Sequence, residues 1–403
     1  VNICIFAKST LAHRVGGMEV QGRLLSEALA RLGHRVTVIT TRHPEGRADT
    51  PQVGGVRVLS LPAAPPAIHG RRWWTASADA FETLCREEDV DVVVSQSVAA
   101  FGVLDRLGGR PLVVNVYGAP AGAFWSEWRG IASLRHGLQL VFVGLPEYVL
   151  VTRRWWGGVL RAAQVISVDS PQGQAALIRG FRLPPARVHV LLNGLVLDAY
   201  RASLDLRMAV RKRLGAGPGD RVVLMVGTAN RQKGLDVGLR AFAATARPSP
   251  PLKLWVVGDG PYLDRLRQLA DGLGVGGAVT FLGQIPFEEV AEYFLGADIF
   301  LNPTRRNEGL PLVIISAMAA GNAIIASGVG GIPSAIESGV SGLLVPRADL
   351  RAFTETLGRL LADPELAHRL GAEARRIAGE LFDIDRTARR FVELVMPLVR
   401  NGG

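Results

Sequence analysis

The chain has 403 residues, 48% hydrophobic and 20% charged, a globular mixture without a disordered signature and long enough for two domains of roughly 150–200 residues. Cys4 and Cys85 are the only cysteines and lie far apart, which argues against a disulfide framework and a cysteine-based metal site; the seven histidines show no close ligand spacing, so no metal is expected. The net charge of +10 favours anionic partners, but nearly all of it is arginine, so each of the four lysines, Lys8, Lys212, Lys233 and Lys253, is worth weighing where it falls in a motif.

The opening "VNICIFAKS" is charged too soon for a signal peptide and reads as a first strand, giving a cytoplasmic expectation. A polar loop from Ala7 to Gly17 follows, then a helix from about Met18 to Leu32 with its apolar stripe at Val20, Leu24, Leu25, Ala28, Leu29 and Leu32. "RVTVIT", "DVVVSQ", "PLVVNVY" and "QVISVDS" continue the strands. "DVD" at Asp89–Asp91 looks like a metal-binding motif but precedes a buried strand, and is read as the start of that strand.

After "VLLNGLVLDAY" the pattern restarts. A charged helix, "LRMAVRKRLGA", leads to strands at "RVVLMVG", "LKLWVVGDGP", "VTFLGQI", "DIFLNPT", "NAIIAS" and "SGLLVP". Short apolar strands alternating with amphipathic helices predict an α/β chain of two doubly wound, Rossmann-like halves with ligands at the carboxyl ends of the strands. The expected division is 1–195 and 196–379, with an amphipathic helix at about 380–400 packing back on the first half.

Four loops of the second half carry chemistry. "VGTANRQKGLD" puts Gly227 at a strand end and Arg231 and Lys233 just beyond it, where fixed cations can neutralise a departing diphosphate; a solvated loop charge is the plainer reading and weighs about equally. "VVGDGP" turns tightly at Gly258, and "FLGQIP" places Gln284 and Ile285 where they could flank a nucleobase; ordinary αβ turns explain both equally well. "NEGLPLVIISAMAAG" puts Glu308 at the mouth of a helix, with Pro311 in its first turn and amide groups able to meet a phosphate, although a lone acid before a helix is more often a cap.

With those motifs in order, the chain resembles the retaining GT-B glycosyltransferases of family 4 over nearly its whole length. The Glu308–Pro311 segment together with the Gly330-Gly331 turn is the most specific part of the match. The resemblance implies metal-independent transfer of a sugar, with retained configuration, from a UDP-sugar or GDP-sugar to a glycan, lipid-linked or other glycoconjugate acceptor. The first half would bind acceptor and the second the nucleotide-sugar, with no cofactor beyond that donor substrate. Carried over, Glu308 would contact the donor sugar, and Gly309, Leu310, Pro311 and Leu312 would bind sugar and phosphate. Arg231 and Lys233 would face the pyrophosphate, with Gln284 and Ile285 beside the base; Gly16 and Gly17 would let the first loop approach phosphate or acceptor.

Four positions depart from the pattern. Thr228 replaces an Arg, Tyr117 a His that reaches the sugar, Ser334 a Glu after the Gly-Gly-x-Pro turn, and Ser316 the carboxylate that takes both ribose hydroxyls. A serine accepts from one hydroxyl at best, so Ser316→Glu is expected to tighten nucleotide binding. These departures keep open a catalytically silent partner in a biosynthetic complex, and the architecture keeps open a sugar-nucleotide epimerase.

"RRWW" occurs twice, at Arg71–Trp74 and Arg153–Trp156, the second after an apolar stretch broken by Gly144, Pro146 and Glu147 and therefore no transmembrane span. The first copy reads slightly better as partly buried Trp under Arg. For the second, Arg153, Arg154, Trp155 and Trp156 fit contact with an anionic membrane, on the inner face of the plasma membrane, or a lipid acceptor slightly better. Nucleic acid ranks third for both, since nothing else resembles a nucleic-acid module.

Overall fold

The computed structural model describes residues 1–14, 16–46, 49–117, 149, 151–201, 203–246 and 251–400; most of the apolar stretch before the second RRWW lies outside them. Among these residues the chain forms two compact units, one ending at Gly194 and resuming at Ile384, the other running Leu195–Asp383.

Unit 1 is built on an eight-stranded sheet of order β3-β4-β2-β1-β5-β6-β7-β8. Its strands are β1 Asn2–Ala7, β2 Arg35–Thr41, β3 Asp49–Val53, β4 Val56–Leu61, β5 Val92–Gln96, β6 Leu112–Val116, β7 Val165–Val168 and β8 Val188–Val190. β1 lies parallel between β2 and β5, with Ile5 opposite both Val38 and Val94. Near-continuous apolar runs suit central strands buried on both faces, as in β5 and β6, where every residue is buried. Among the described residues of this sheet the one antiparallel pairing is the β3–β4 edge hairpin, which the sequence reading missed. Its signal was there: Gly54 and Gly55 both have positive φ, 62° and 80°, as a two-residue hairpin turn demands.

Helix α1, Gly17–Arg31, starts and ends one residue earlier than expected. Leu32 falls at its C-cap and is 39% exposed, so the buried stripe ends at Leu29. Helix α2, Arg71–Glu87, buries Trp73 and Phe81 in the core around Phe6, Val93 and Val114. Helices α3, Gly157–Ala162, and α4, Pro171–Phe181, cover later strands; α4 is capped by Ser170 with Pro171 at its first position.

Unit 2 carries a six-stranded, all-parallel sheet of order β11-β10-β9-β12-β13-β14. The strands are β9 Arg221–Val226, β10 Leu252–Val257, β11 Val279–Gly283, β12 Ile299–Asn302, β13 Ala323–Ser327 and β14 Leu343–Val345. Helix α5, Leu204–Arg213, is fixed to the start of β12 because Arg207 and the buried Arg211 grip one carboxyl oxygen each of Asp298, at 2.6 and 2.7 Å. Around the sheet lie α6 Leu235–Thr245, α7 Leu263–Gly272, α8 Val290–Gly296, α9 Leu312–Ala320, α10 Leu350–Ala362 and α11 Pro364–Leu381. Its core gathers Phe242, Leu254, Leu301 and Phe353. Helix α12, Ile384–Arg400, belongs to unit 1, where it packs on α1; Arg31 and Asp385 pair at 2.6 Å.

Each sheet has a point where the strand order reverses, between β1 and β5 in unit 1 and between β9 and β12 in unit 2. Loops leaving neighbouring strands there diverge to opposite faces and open a crevice, the usual place for a ligand in such sheets. Among the described residues no helix is long and apolar enough to cross a membrane.

Candidate functional site

The reversal point of unit 2 brings together two residues 75 positions apart. Lys233 leaves the loop after β9 and Glu308 the loop after β12, and the lysine Nζ donates to Glu308 Oε1 at 2.6 Å. Both are largely shielded, their side chains 25% and 14% exposed. Thr304 Oγ1 approaches the same carboxylate oxygen at 3.4 Å, while Oε2 has no partner among the described residues. A largely shielded ammonium–carboxylate pair offers an anion a cation and a hydroxyl group a strong acceptor within one small site.

The surrounding loops are held by backbone packed on backbone. A Cβ added at Gly330, whose φ is 57°, would lie 1.9 Å from the carbonyl oxygen of Glu308, and Gly331 N–H donates to that same oxygen at 3.0 Å. At Gly258 an added Cβ would meet the Gly227 carbonyl at 2.1 Å, while Gly258 N–H donates to Gly283 O at 2.7 Å. The glycine turns therefore lock the ends of β9, β10 and β11 together and, separately, the loops after β12 and β13. The Lys233 stem passes Gly227 at ordinary contact distance, 3.6 Å from where a Cβ would be.

Polar partners invisible to the sequence reading complete the frame. Arg305 forms two bonds to Asp236 in the first turn of α6, at 2.7 and 2.9 Å, and donates to Arg231 O at 2.9 Å, fixing the Glu308 loop to the Lys233 loop. Arg347 donates to Asn307 Oδ1 at 2.6 Å and Arg305 O at 3.1 Å. Arg231 itself is exposed, and its guanidinium has no carboxylate partner among the described residues. Thr228 is exposed on the same loop, and Ser334 turns inward to donate to Gly331 O at 2.6 Å.

Two sequence expectations change in detail. Pro311 occupies the N-cap of α9 in an extended conformation, ψ 132°, and the first turn begins at Leu312; no side chain caps the helix, whose opening amides therefore lack the usual Ser, Thr or Asp partner. Ser316, one turn further on, is 4% exposed, and its Oγ lies 2.8 Å from the hydroxyl of Tyr200. Burial pushes the Tyr200 phenol up to about 12, so this is a neutral hydroxyl pair. Gln284 is exposed and Ile285 half-buried just beyond β11.

In unit 1, Gly16 caps α1 and Gly17 begins it. A Cβ at Gly16 would fall 2.5 Å from Glu19 Oε2, whereas one at Gly17 would meet nothing within 4 Å. Glu19 escaped the sequence reading because its partners come from the preceding loop. Tyr117 lines a small recess with Asn115, Asp169 and Asn193, and burial pushes its phenol well up. Asp91 accepts the Asn2 backbone N–H at 2.7 Å, tying the "DVD" segment to the first strand. Among the described residues no cluster of His, Cys, Asp and Glu could hold a metal ion.

The two RRWW copies meet. Trp74 and Trp155 stand edge to face with centroids 5.4 Å apart, joined by Phe101 and by His69, which stacks on Trp74 at 5.1 Å. Trp73 is fully buried and donates from Nε1 to Ala99 O, whereas Arg71, Arg72, Arg153 and Arg154 are exposed.

The chain is similar to known proteins along both units. A family model described as Glycosyl transferases group 1 matches residues 207–377, and one described as Glycosyl transferase 4-like domain matches residues 16–194. A GDP-mannose-dependent alpha-(1-6)-phosphatidylinositol monomannoside mannosyltransferase of Mycolicibacterium smegmatis is 30% identical over 376 residues, covering 92% of this chain and 86% of its own. The chain belongs to the group 1 glycosyltransferases. A D-inositol 3-phosphate glycosyltransferase of Corynebacterium urealyticum is 27% identical over 410 residues, 95% of this chain and 91% of its own. Among solved structures, a sucrose-phosphate synthase of Thermosynechococcus elongatus superposes with a TM-score of 0.82 at 25% identity, covering 99% of both chains. This group 1 glycosyltransferase thus has the GT-B fold, uses nucleotide-sugar donors and belongs to a retaining family.

Proposed function

We propose that the chain moves a sugar from a nucleoside-diphosphate donor held by unit 2 to a hydroxyl-bearing glycoconjugate acceptor held by unit 1. The Lys233–Glu308 pair at the reversal point of the unit 2 sheet carries this reading. Glu308 accepts hydrogen bonds from the donor sugar, and the backbone from Gly309 to Leu312 receives sugar and phosphate at the start of α9. Lys233 and Arg231 neutralise the diphosphate as it leaves, the work a metal ion does elsewhere. Gly227 and Gly258 turn the backbone at the strand ends that face the donor, with Gln284 and Ile285 beside the base. In this reading Ser316 belongs to the ribose end of the donor site in unit 2, while Tyr117, Gly16 and Gly17 are the contacts that unit 1 offers to sugar, phosphate or acceptor.

The acceptor reading includes a lipid-linked one at an anionic membrane surface. The four exposed arginines beside the Trp74–Trp155 cluster support it, as does the lipid substrate in the mycolicibacterial relative's name. The test is turnover with a panel of UDP- and GDP-sugars. Glu308→Ala and Lys233→Ala should each lower kcat by about 10²-fold or more while thermal unfolding stays cooperative. Wild-type turnover by Glu308→Ala would sink the assignment.

A further inference from the structure

Unit 1 contains a cavity of about 210 Å³ between α1 and the strands β1, β2 and β4, at the carboxyl end of β1. Its walls are mainly apolar: Ala7, Val38, Val56 and Val58, the last two on one face of β4 by the two-residue period of a strand. Native interiors hold few voids larger than a water molecule, and a cavity of ~150 Å³ already accommodates a benzene ring. A space of this size and lining matches a ring or a short alkyl segment.

A second observation gives the cavity a polar end. Glu19, whose side chain is 1% exposed, is among its lining residues. Oε1 of that carboxylate accepts from Ser9 Oγ at 2.5 Å and from Arg14 Nε at 2.6 Å. Oε2 accepts from nothing among the described residues. That oxygen is not fully buried, so it stays open as an acceptor that a solvent or ligand hydroxyl can reach. The loop that forms the mouth is fastened: His13 bonds Thr10 N–H through Nδ1, and its Nε2 lies 3.0 Å from Arg42 O and from Thr41 Oγ1. The opening is therefore part of the built structure and does not depend on a loose loop.

From this we infer that the cavity is a binding site for an amphiphilic alcohol, one hydroxyl donating to Glu19 Oε2 and an adjoining ring or short alkyl group lying against Val38, Val56 and Val58. Naming that ligand the acceptor rests on the transferase reading above. It narrows the acceptor from any glycoconjugate to one whose apolar part adjoins the hydroxyl held by Glu19.

The test is calorimetric titration of the full chain with phenyl, n-hexyl and methyl β-glucosides, with a nucleoside-diphosphate thermal shift run in parallel. The phenyl and hexyl compounds should bind at least tenfold more tightly than the methyl one. Val58→Trp, filling the cavity from its wall, and Ala12→Trp, blocking it from the exposed rim, should remove that preference and leave the nucleotide shift unchanged. Glu19→Gln should weaken all three glucosides together. Equal affinities in the wild type, or an undiminished preference in a folded Ala12→Trp chain, overturn the assignment. A preserved preference in a chain that binds no nucleoside diphosphate supports the cavity and overturns the donor reading alone.

Discussion

The two units solve one problem differently. Each presents a shielded carboxylate where its strand order reverses, with one oxygen tied to the protein and the other without a partner among the described residues: Glu308 in unit 2, Glu19 in unit 1. Unit 2 holds the chain around its carboxylate largely by backbone packed on backbone, through glycines whose missing Cβ atoms leave room for neighbouring carbonyls, braced by the Arg305–Asp236 and Arg347–Asn307 pairs. Unit 1 frames its own with side chains, around a cavity and a loop pinned by His13. A backbone frame tolerates little change at its glycines. A side-chain frame can be rebuilt one residue at a time, which would suit the half of the molecule proposed above to hold the acceptor.

The sharpest break of this comparison comes from glycine substitution. Gly330→Ala forces a Cβ into the Glu308 carbonyl at a left-handed φ, and should cost unit 2 about 3 kcal/mol or more, read as a fall in denaturant midpoint. Gly17→Ala meets no neighbour and should stay within about 0.5 kcal/mol of the parent. A drop in turnover at that unchanged stability would assign Gly17 to ligand approach. Equal losses at both positions would remove the contrast.

A middle-sized effect concerns acid. Burial, with Lys8 nearby, pushes His69 of unit 1 down to about 3, while the unfolded histidine titrates near ~6.5. The unfolded chain binds the proton first. This contribution is therefore complete above about pH 6.5 and shrinks as pH falls toward 3, amounting to roughly 2 kcal/mol by pH 4.5. Unit 2 has His368 as its one histidine, with no comparable burial. His69→Phe, which keeps a ring against Trp74, should flatten the pH dependence of melting between 7 and 4.5; an unaltered profile would assign the acid sensitivity elsewhere.

The smallest effect lies at Ser316. Ser316→Ala leaves the buried Tyr200 hydroxyl without its partner and should cost about 1 kcal/mol, much of it recovered when Tyr200→Phe is added. Nucleotide affinity that follows Ser316→Ala but not Tyr200→Phe would place the serine at the ribose. The sequence alone suggested that Ser316→Glu would tighten binding. With Tyr200 in contact, the added carboxylate must also share a buried space with that phenol, so stability and affinity have to be measured together.

What was legible in the sequence divides along the same line. Central strands such as "VVVSQ" and "IFLN" read directly, because burial on both faces leaves unbroken apolar runs. The loops around Glu308 read well because glycine and proline mark backbone geometry in the letters themselves. The edge hairpin at β3–β4 was passed over despite its Gly-Gly turn, and the three-residue β8 was too short to give a period. Pairings across the chain were not visible at all. Arg305 meets Asp236 across 69 positions and Tyr200 meets Ser316 across 116, and nothing local in either segment names its partner.

Helix α12 gives the molecule an order of assembly. Among the described residues unit 2 is spelled by one run, Leu195–Asp383, and can close as soon as that run is made. Unit 1 cannot. Its Gly194 backbone lies against Ile384, so close that an added Cβ would fall 2.7 Å from that Cα, and Thr387 donates to Leu192 O at 3.1 Å. During synthesis from the ribosome, the first unit begun is therefore the last completed, waiting with one flank of α1 uncovered until the whole of unit 2 has been translated.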